Sequence, residues 1–133
     1  RTTQDRPWRR VPAVLLLVLM VPWLAGAAGE GASAPAVIGF DLGRLDDRGL
    51  QGPPGGLRSL DYEYCIPEGT RYREQVLAID PSARFQPGSR GRIGCGSGQV
   101  LVLGNTHQPG FRQVLQALPG LPFVERIVEC VFE

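Results

Sequence analysis

The chain reads as one small α+β domain, and three observations carry that reading. Beyond Leu57 the hydrophobic spacing switches repeatedly between a two-residue and a helical rhythm. Proline and glycine, 30 of the 133 residues, punctuate each switch. The length suits a single hydrophobic core and excludes a large catalytic scaffold or a long repeat array.

Taken in order, Leu60, Tyr62, Tyr64 and Ile66 alternate with Asp61, Glu63 and Cys65, the pattern of a half-buried strand. Pro67 is suited to a first helical position, with Glu68 near the positive end of the helix dipole. Tyr72, Val76 and Ile79 then follow at i, i+4 and i+7, and Asp80-Pro81 stops the helix. Residues 90–95 form a candidate second strand, Gly96-Ser97-Gly98 a tight turn, and residues 99–104 a third strand. The unbroken apolar run Val100, Leu101, Val102, Leu103 suits a central position covered on both faces. Pro109 opens a second helix with Phe111, Val114, Leu115 and Leu118 on one side, Pro119-Gly120 closes it, and residues 123–132 make the last strand.

The order β-α-β-β-α-β is the ferredoxin-like arrangement. Right-handed crossovers place both helices on one face of a four-stranded antiparallel sheet. The third strand then lies between the first and second, the fourth flanks the first, and the other face is open.

Residues 1–56 have a different character. Arg1, Arg6, Arg9 and Arg10 precede an uncharged stretch over residues 11–29, with small residues Ala25, Gly26, Ala27 and Ala28 at its end. Residues 1–28 are therefore expected to be a signal peptide, with an uncleaved membrane anchor over residues 11–29 as the rival. Either way the remainder is exported, to a periplasmic or secreted location. From Ala28 onward ten Arg face twelve Asp or Glu, so the slight basicity of the whole chain belongs to the targeting segment. A net charge of −2 there argues against non-specific nucleic-acid binding. Residues 29–56 are rich in Gly, Ala and Pro and are expected to form a flexible leader to the compact domain at 57–133. The partial alternation of Val37, Ile38, Phe40 and Leu42 allows one short docked strand.

Three cysteines lie beyond the targeting segment, Cys65, Cys95 and Cys130. Cys65 and Cys95 end parallel strands at one edge of the expected sheet. Two strand spacings would separate them by about 9.6 Å, beyond the roughly 7 Å a disulfide allows. Their bridge therefore requires the chains to converge where Gly94, Gly96 and Gly98 loosen the hairpin. A reactive Cys65 thiolate before a helix start, or a thiol or metal site using Cys65 and Cys95, is the alternative chemistry. No close ligand pair supports a metal, and no cofactor is expected.

Arg90 and Arg92 alternate, so both guanidinium groups are expected on one sheet face, suited to a carboxylate, phosphate or sulfate or to pairing with Asp61 or Glu63. Asn105, Thr106 and His107 occupy a strand-to-helix loop whose N–H groups are candidates for an anion. Gly104-Asn105-Thr106-His107-Gln108-Pro109 resembles the terminal G-[HN]-T-H-x-P element of calcineurin-like metallophosphoesterases over these six residues. That family needs further histidines upstream, and His107 is the sole histidine here. No serine has a nucleophile-elbow context, so no catalytic residue is assigned. The expected function is that of an exported, non-catalytic binding domain, its open sheet face covered by a second copy or a protein partner. A small-anion sensor using Arg90, Arg92 and the loop at residues 105–107 is the alternative.

Overall fold

A computed structural model describes residues 36–131; the expected signal peptide lies outside the described residues. The described chain is an α+β unit of strands β1 (Val37–Ile38), β2 (Leu50–Gln51), β3 (Arg58–Ser59), β4 (Asp61–Pro67), β5 (Arg84–Gln86), β6 (Gln99–Asn105) and β7 (Arg126–Cys130), with helices α1 (Thr70–Ile79) and α2 (Phe111–Ala117). Five strands form one sheet in the order β1-β7-β4-β6-β5, while β2 and β3 pair separately. Among the described residues, no helix is long and apolar enough to cross a membrane.

The alternating segment forms β4 at the centre, antiparallel to β6 from Asp61↔Asn105 to Pro67↔Gln99 and antiparallel to β7 through Glu63↔Val128. Its inward side chains Tyr62, Tyr64 and Ile66 pack with Val100 and Val102 of β6, Ile127 of β7, Val76 of α1, and Phe111, Val114 and Leu115 of α2. Both helices therefore cover the same face. Each fully buried aliphatic or aromatic side chain there contributes roughly 1.5–3 kcal/mol.

Three expectations need correction. The sheet is mixed and five-stranded, because Val37–Ile38 adds to β7 in parallel. The Val37 N–H donates to the Glu125 carbonyl at 3.2 Å and the Gly39 N–H to the Ile127 carbonyl at 2.8 Å. The second strand of the expected series is Arg84–Gln86, which pairs with β6 through Phe85↔Val102, and not residues 90–95. Gly88, Gly91 and Gly94 all have positive φ, which turns residues 87–98 out of the sheet into a loop. Helix α1 starts at Thr70 because β4 runs on through Pro67, and the corner is made at Gly69 with φ 136°.

Residues 36–56, expected within a flexible leader, pack against this frame. Leu45 is 4% exposed and Phe40 stacks on Tyr62 with ring centroids 6.4 Å apart. Asp46 Oδ1 accepts from the Arg48 and Leu50 N–H groups at 2.8 and 3.0 Å, closing a turn. These backbone bonds, led by that from Leu50, hold the Asp46 carboxyl below its ordinary value. Gly49, at φ 75°, brings its carbonyl within 2.6 Å of the Thr106 hydroxyl, which donates to it. A composition rich in glycine was compatible with turns of this kind as well as with a loose leader.

Candidate functional site

The face of the sheet away from the helices carries the candidate site. Asp61, Glu63 and Cys65 alternate onto it from β4. Glu63 stands opposite Leu103 and Cys65 opposite Leu101 on β6, while Val128 and Cys130 stand beside Glu63 and Asp61 on β7. The loop at 87–98 lies across this face. Its Ile93 and Cys95 pack with Leu101 and Leu103 in a second small core, with Cys65, Val128 and Cys130 at its margin.

Four attachments hold the loop down. Cys65 and Cys95 are bridged, with Cα atoms 5.5 Å apart. The Ile93 N–H donates to Glu63 Oε1 at 2.6 Å, and Arg126 Nη2 donates to the Ile93 carbonyl at 2.6 Å. The Glu68 N–H donates to the Gly98 carbonyl at 2.9 Å, while within the loop Arg90 Nε donates to the Cys95 carbonyl at 3.3 Å. The two-strand separation that made a bridge difficult disappears because Cys95 lies above the sheet instead of within it.

Between the loop and the outer part of this face is a cleft of about 450 Å³. Leu101, Leu103, Cys130 and Val131 give it an apolar lining, and Glu63, Gln86, Ser89 and Arg92 supply the polar groups. Glu63 is only 1% exposed, so its carboxylate is an internal charge at the bottom of the cleft. Burial, then the hydrogen bond and negative charge of Glu63, push the Cys130 thiol up to about 11; Arg92 opposes this. Cys130 is unbridged and at neutral pH is a thiol, the poorly nucleophilic form.

The structure separates the residues expected to form one anion site. Arg92 lines this cleft, and Arg90 lines a different depression with Glu68 and residues 95–99. His107 lines a third, with Asp47, Arg48 and Gly110. At the loop itself every amide from 105 to 108 is engaged within the protein. The Asn105 N–H donates to Ser82 Oγ at 3.0 Å, and the Thr106 N–H to the Leu60 carbonyl at 3.0 Å. The His107 N–H donates to Asn105 Oδ1 at 2.7 Å, and the Gln108 N–H to the Thr106 carbonyl at 2.9 Å. Thr106 is fully buried, where its Oγ1 also accepts from the Leu60 N–H at 2.9 Å. His107 lies at the Asp61 end of β4 and Cys65 near the Pro67 end, so they share no site. Among the described residues no group of three His, Cys, Asp or Glu side chains is placed to hold a metal ion.

Two carboxylates are buried: Glu63, expected only as a surface partner of Arg90 or Arg92, and Asp80, expected only to stop a helix. Besides Glu63, Asp80 is fully buried beneath the helices. Asp80 Oδ2 accepts from the hydroxyls of Tyr62 at 2.8 Å and Tyr64 at 3.3 Å. Its Oδ1 accepts from the Ser82 N–H at 3.0 Å, the Ser82 hydroxyl at 2.6 Å and Gln108 Nε2 at 3.2 Å. The signal available in sequence was a pair of same-face tyrosines whose hydroxyls needed a buried acceptor. Comparison of the chain with protein-family models, with curated proteins and with solved structures finds no match.

Proposed function

We propose that this chain is a small exported, non-catalytic binding domain, and that the cleft between the sheet and the loop at 87–98 is where it takes its ligand. The observation that carries the reading is the combination in that cleft of an apolar lining, Leu101, Leu103 and Val131, with the buried Glu63 carboxylate and Arg92. Such a site suits a ligand with an apolar body and one polar end, as pockets of this size usually do. The Cys65–Cys95 bridge agrees with an oxidising destination.

We further infer a ferredoxin-like βαββαβ frame extended by an added edge strand. The succession β4-α1-β5-β6-α2-β7, with β6 between β4 and β5 and β7 beside β4, supports it. In this reading the exposed Val131 at the cleft margin, 50% accessible, is a contact for a protein partner or a second copy.

The test is amide chemical-shift mapping of the oxidised protein against short apolar peptides and small carboxylates. Binding in the cleft shifts residues 86–92, 101–103 and 128–131, and Arg92→Ala weakens the carboxylate series. Shifts confined to residues 105–110 would favour the anion-sensor alternative. A flat response across both panels, with a strictly monomeric mass by light scattering, would sink the binding reading.

A further inference from the structure

The two cysteines of the bridge differ in exposure. Cys95 is only 2% exposed, although it borders the depression lined by Arg90 and Glu68. Cys65 is only half-buried and lines a surface depression of about 80 Å³ with Ile93, Gly94, Gln99, Glu125 and Arg126. An incoming thiolate therefore reaches the Cys65 side first, where the Arg126 guanidinium offsets the charge of Glu125. The bridge is also the one covalent tie of a segment otherwise fastened by hydrogen bonds at Ile93 and Gly98 and by a small apolar core. Residues 87–98 pair with no strand, contain four glycines at positive φ (Gly88, Gly91, Gly94 and Gly98), and bury one large apolar side chain, Ile93. Ser89, Gly91 and Arg92 of the same segment form one wall of the cleft.

We propose that the Cys65–Cys95 bridge is a reducible catch on the cleft wall: a small thiol exchanges at Cys65, and reduction releases residues 87–98 from the sheet face above Glu63 and Cys130. A thiolate RS⁻ attacks the Cys65 sulfur, the S–S bond breaks, and Cys95 departs as a thiolate that takes up a proton. A second RS⁻ attacks the reductant sulfur of the mixed disulfide, RSSR leaves, and Cys65 is protonated. Two RSH are thereby oxidised to RSSR while the bridge becomes two thiols. Without that covalent anchor the Glu63 and Arg126 bonds to Ile93 no longer hold the wall closed, and they open with it. This device stands whatever molecule the cleft takes.

Cys130 is a built-in reporter, since its thiol is held up at about 11 partly by burial. The experiment treats the oxidised full chain with millimolar glutathione and follows deuterium exchange of backbone amides and iodoacetamide labelling of Cys130. The expected result is loss of protection at residues 88–98 with β4 and β6 unchanged, and Cys130 labelling faster by about tenfold or more as its pKa falls toward the free value. Acid-quenched peptides should carry glutathione on Cys65 and leave Cys95 open to alkylation. A bridge that resists glutathione, glutathione found on Cys95, unchanged protection at Ile93, or loss of protection in β4 and β6 together with the loop would each overturn the proposal. The double variant Cys65→Ala/Cys95→Ala should label Cys130 at the fast rate without reductant; labelling at the oxidised rate would also overturn it.

Discussion

At Gly104 the centre of the sheet leaves no room for even a methyl group. A Cβ there would run into the ring of Tyr62, which is fully buried and cannot swing away. Gly104→Ala is expected to cost about 3 kcal/mol, the high end for overpacking a core, measured as a lower midpoint in urea. The Asp80 cluster is the second residue-scale determinant. Removing the acceptor with Asp80→Ala strands two phenol hydroxyls and the hydroxyl and N–H of Ser82, and is expected to cost about 3 kcal/mol or more. The same cluster sets an alkaline limit. Burial first, then the charge of Asp80, raise both Tyr62 and Tyr64 above their ordinary value of 10.0. Unfolding lets both phenols ionise near that ordinary value while the fold holds them neutral, so this stability is complete below about pH 10 and lost as pH rises beyond it. The loss should approach about 2.7 kcal/mol per pH unit for two phenols. In absorbance titration Tyr62 and Tyr64 should ionise only as the protein unfolds; reversible ionisation of both near pH 10 in the folded protein would refute the assignment.

The elements differ in how far the sequence announced them. Strand β4 was legible from its two-residue alternation, β6 from an unbroken apolar run buried on both faces, and α2 because Phe111, Val114 and Leu115 share one helical face. Within the loop at 87–98, residues 90–95 read as a strand because Ser89-Arg90-Gly91-Arg92 mimics a two-residue rhythm. Its conformation is decided by positive-φ glycines and by Glu63, 30 residues distant from Ile93. β5 was missed because three residues around Phe85 leave too short a pattern to detect. Of the candidate site, Cys65, Cys95 and Arg92 were legible as residue types. Their neighbours Glu63 and Cys130 emerge only once the loop is folded over the sheet. Glu63 tests this element directly. Glu63→Ala leaves the Ile93 N–H without its acceptor and is expected to cost about 2 kcal/mol, whereas Glu63→Gln keeps an oxygen in place and costs less. Glu63→Gln also removes the charge that helps to hold up the Cys130 thiol, so the pH midpoint of Cys130 alkylation should drop below about 11. An unchanged midpoint would show that burial alone sets it.

For the whole molecule, the decisive question is where the folded unit begins. The punctuated stretch before Leu57 suggested a boundary there, because its composition lacks the apolar density of a core. Packing places the boundary earlier, since a few well-spaced contacts are enough to fasten the segment. Leu45 is buried, Phe40 covers Tyr62, and Ile38 and Leu42 pack on the same core. Arg112 of α2 donates to the Leu45 carbonyl at 2.9 Å, and the buried Thr106 hydroxyl donates to the Gly49 carbonyl. A chain shortened to residues 57–133 would expose part of Tyr62, lose the burial of Leu45, and leave the Thr106 hydroxyl without its acceptor. One buried leucine at roughly 2 kcal/mol, a partly buried phenylalanine and one orphaned buried hydroxyl together predict a loss of about 4 kcal/mol or more. Against a total of about 5–15 kcal/mol for a domain, that loss brings the shortened chain near its unfolding threshold. Urea unfolding of proteins starting at residues 36 and 57 would measure it, and the longer chain should also show the steeper denaturant dependence, because it exposes more surface on unfolding. Equal midpoints and slopes would mean that residues 36–56 contribute nothing to the cooperative unit, and the domain would then begin at Leu57 after all.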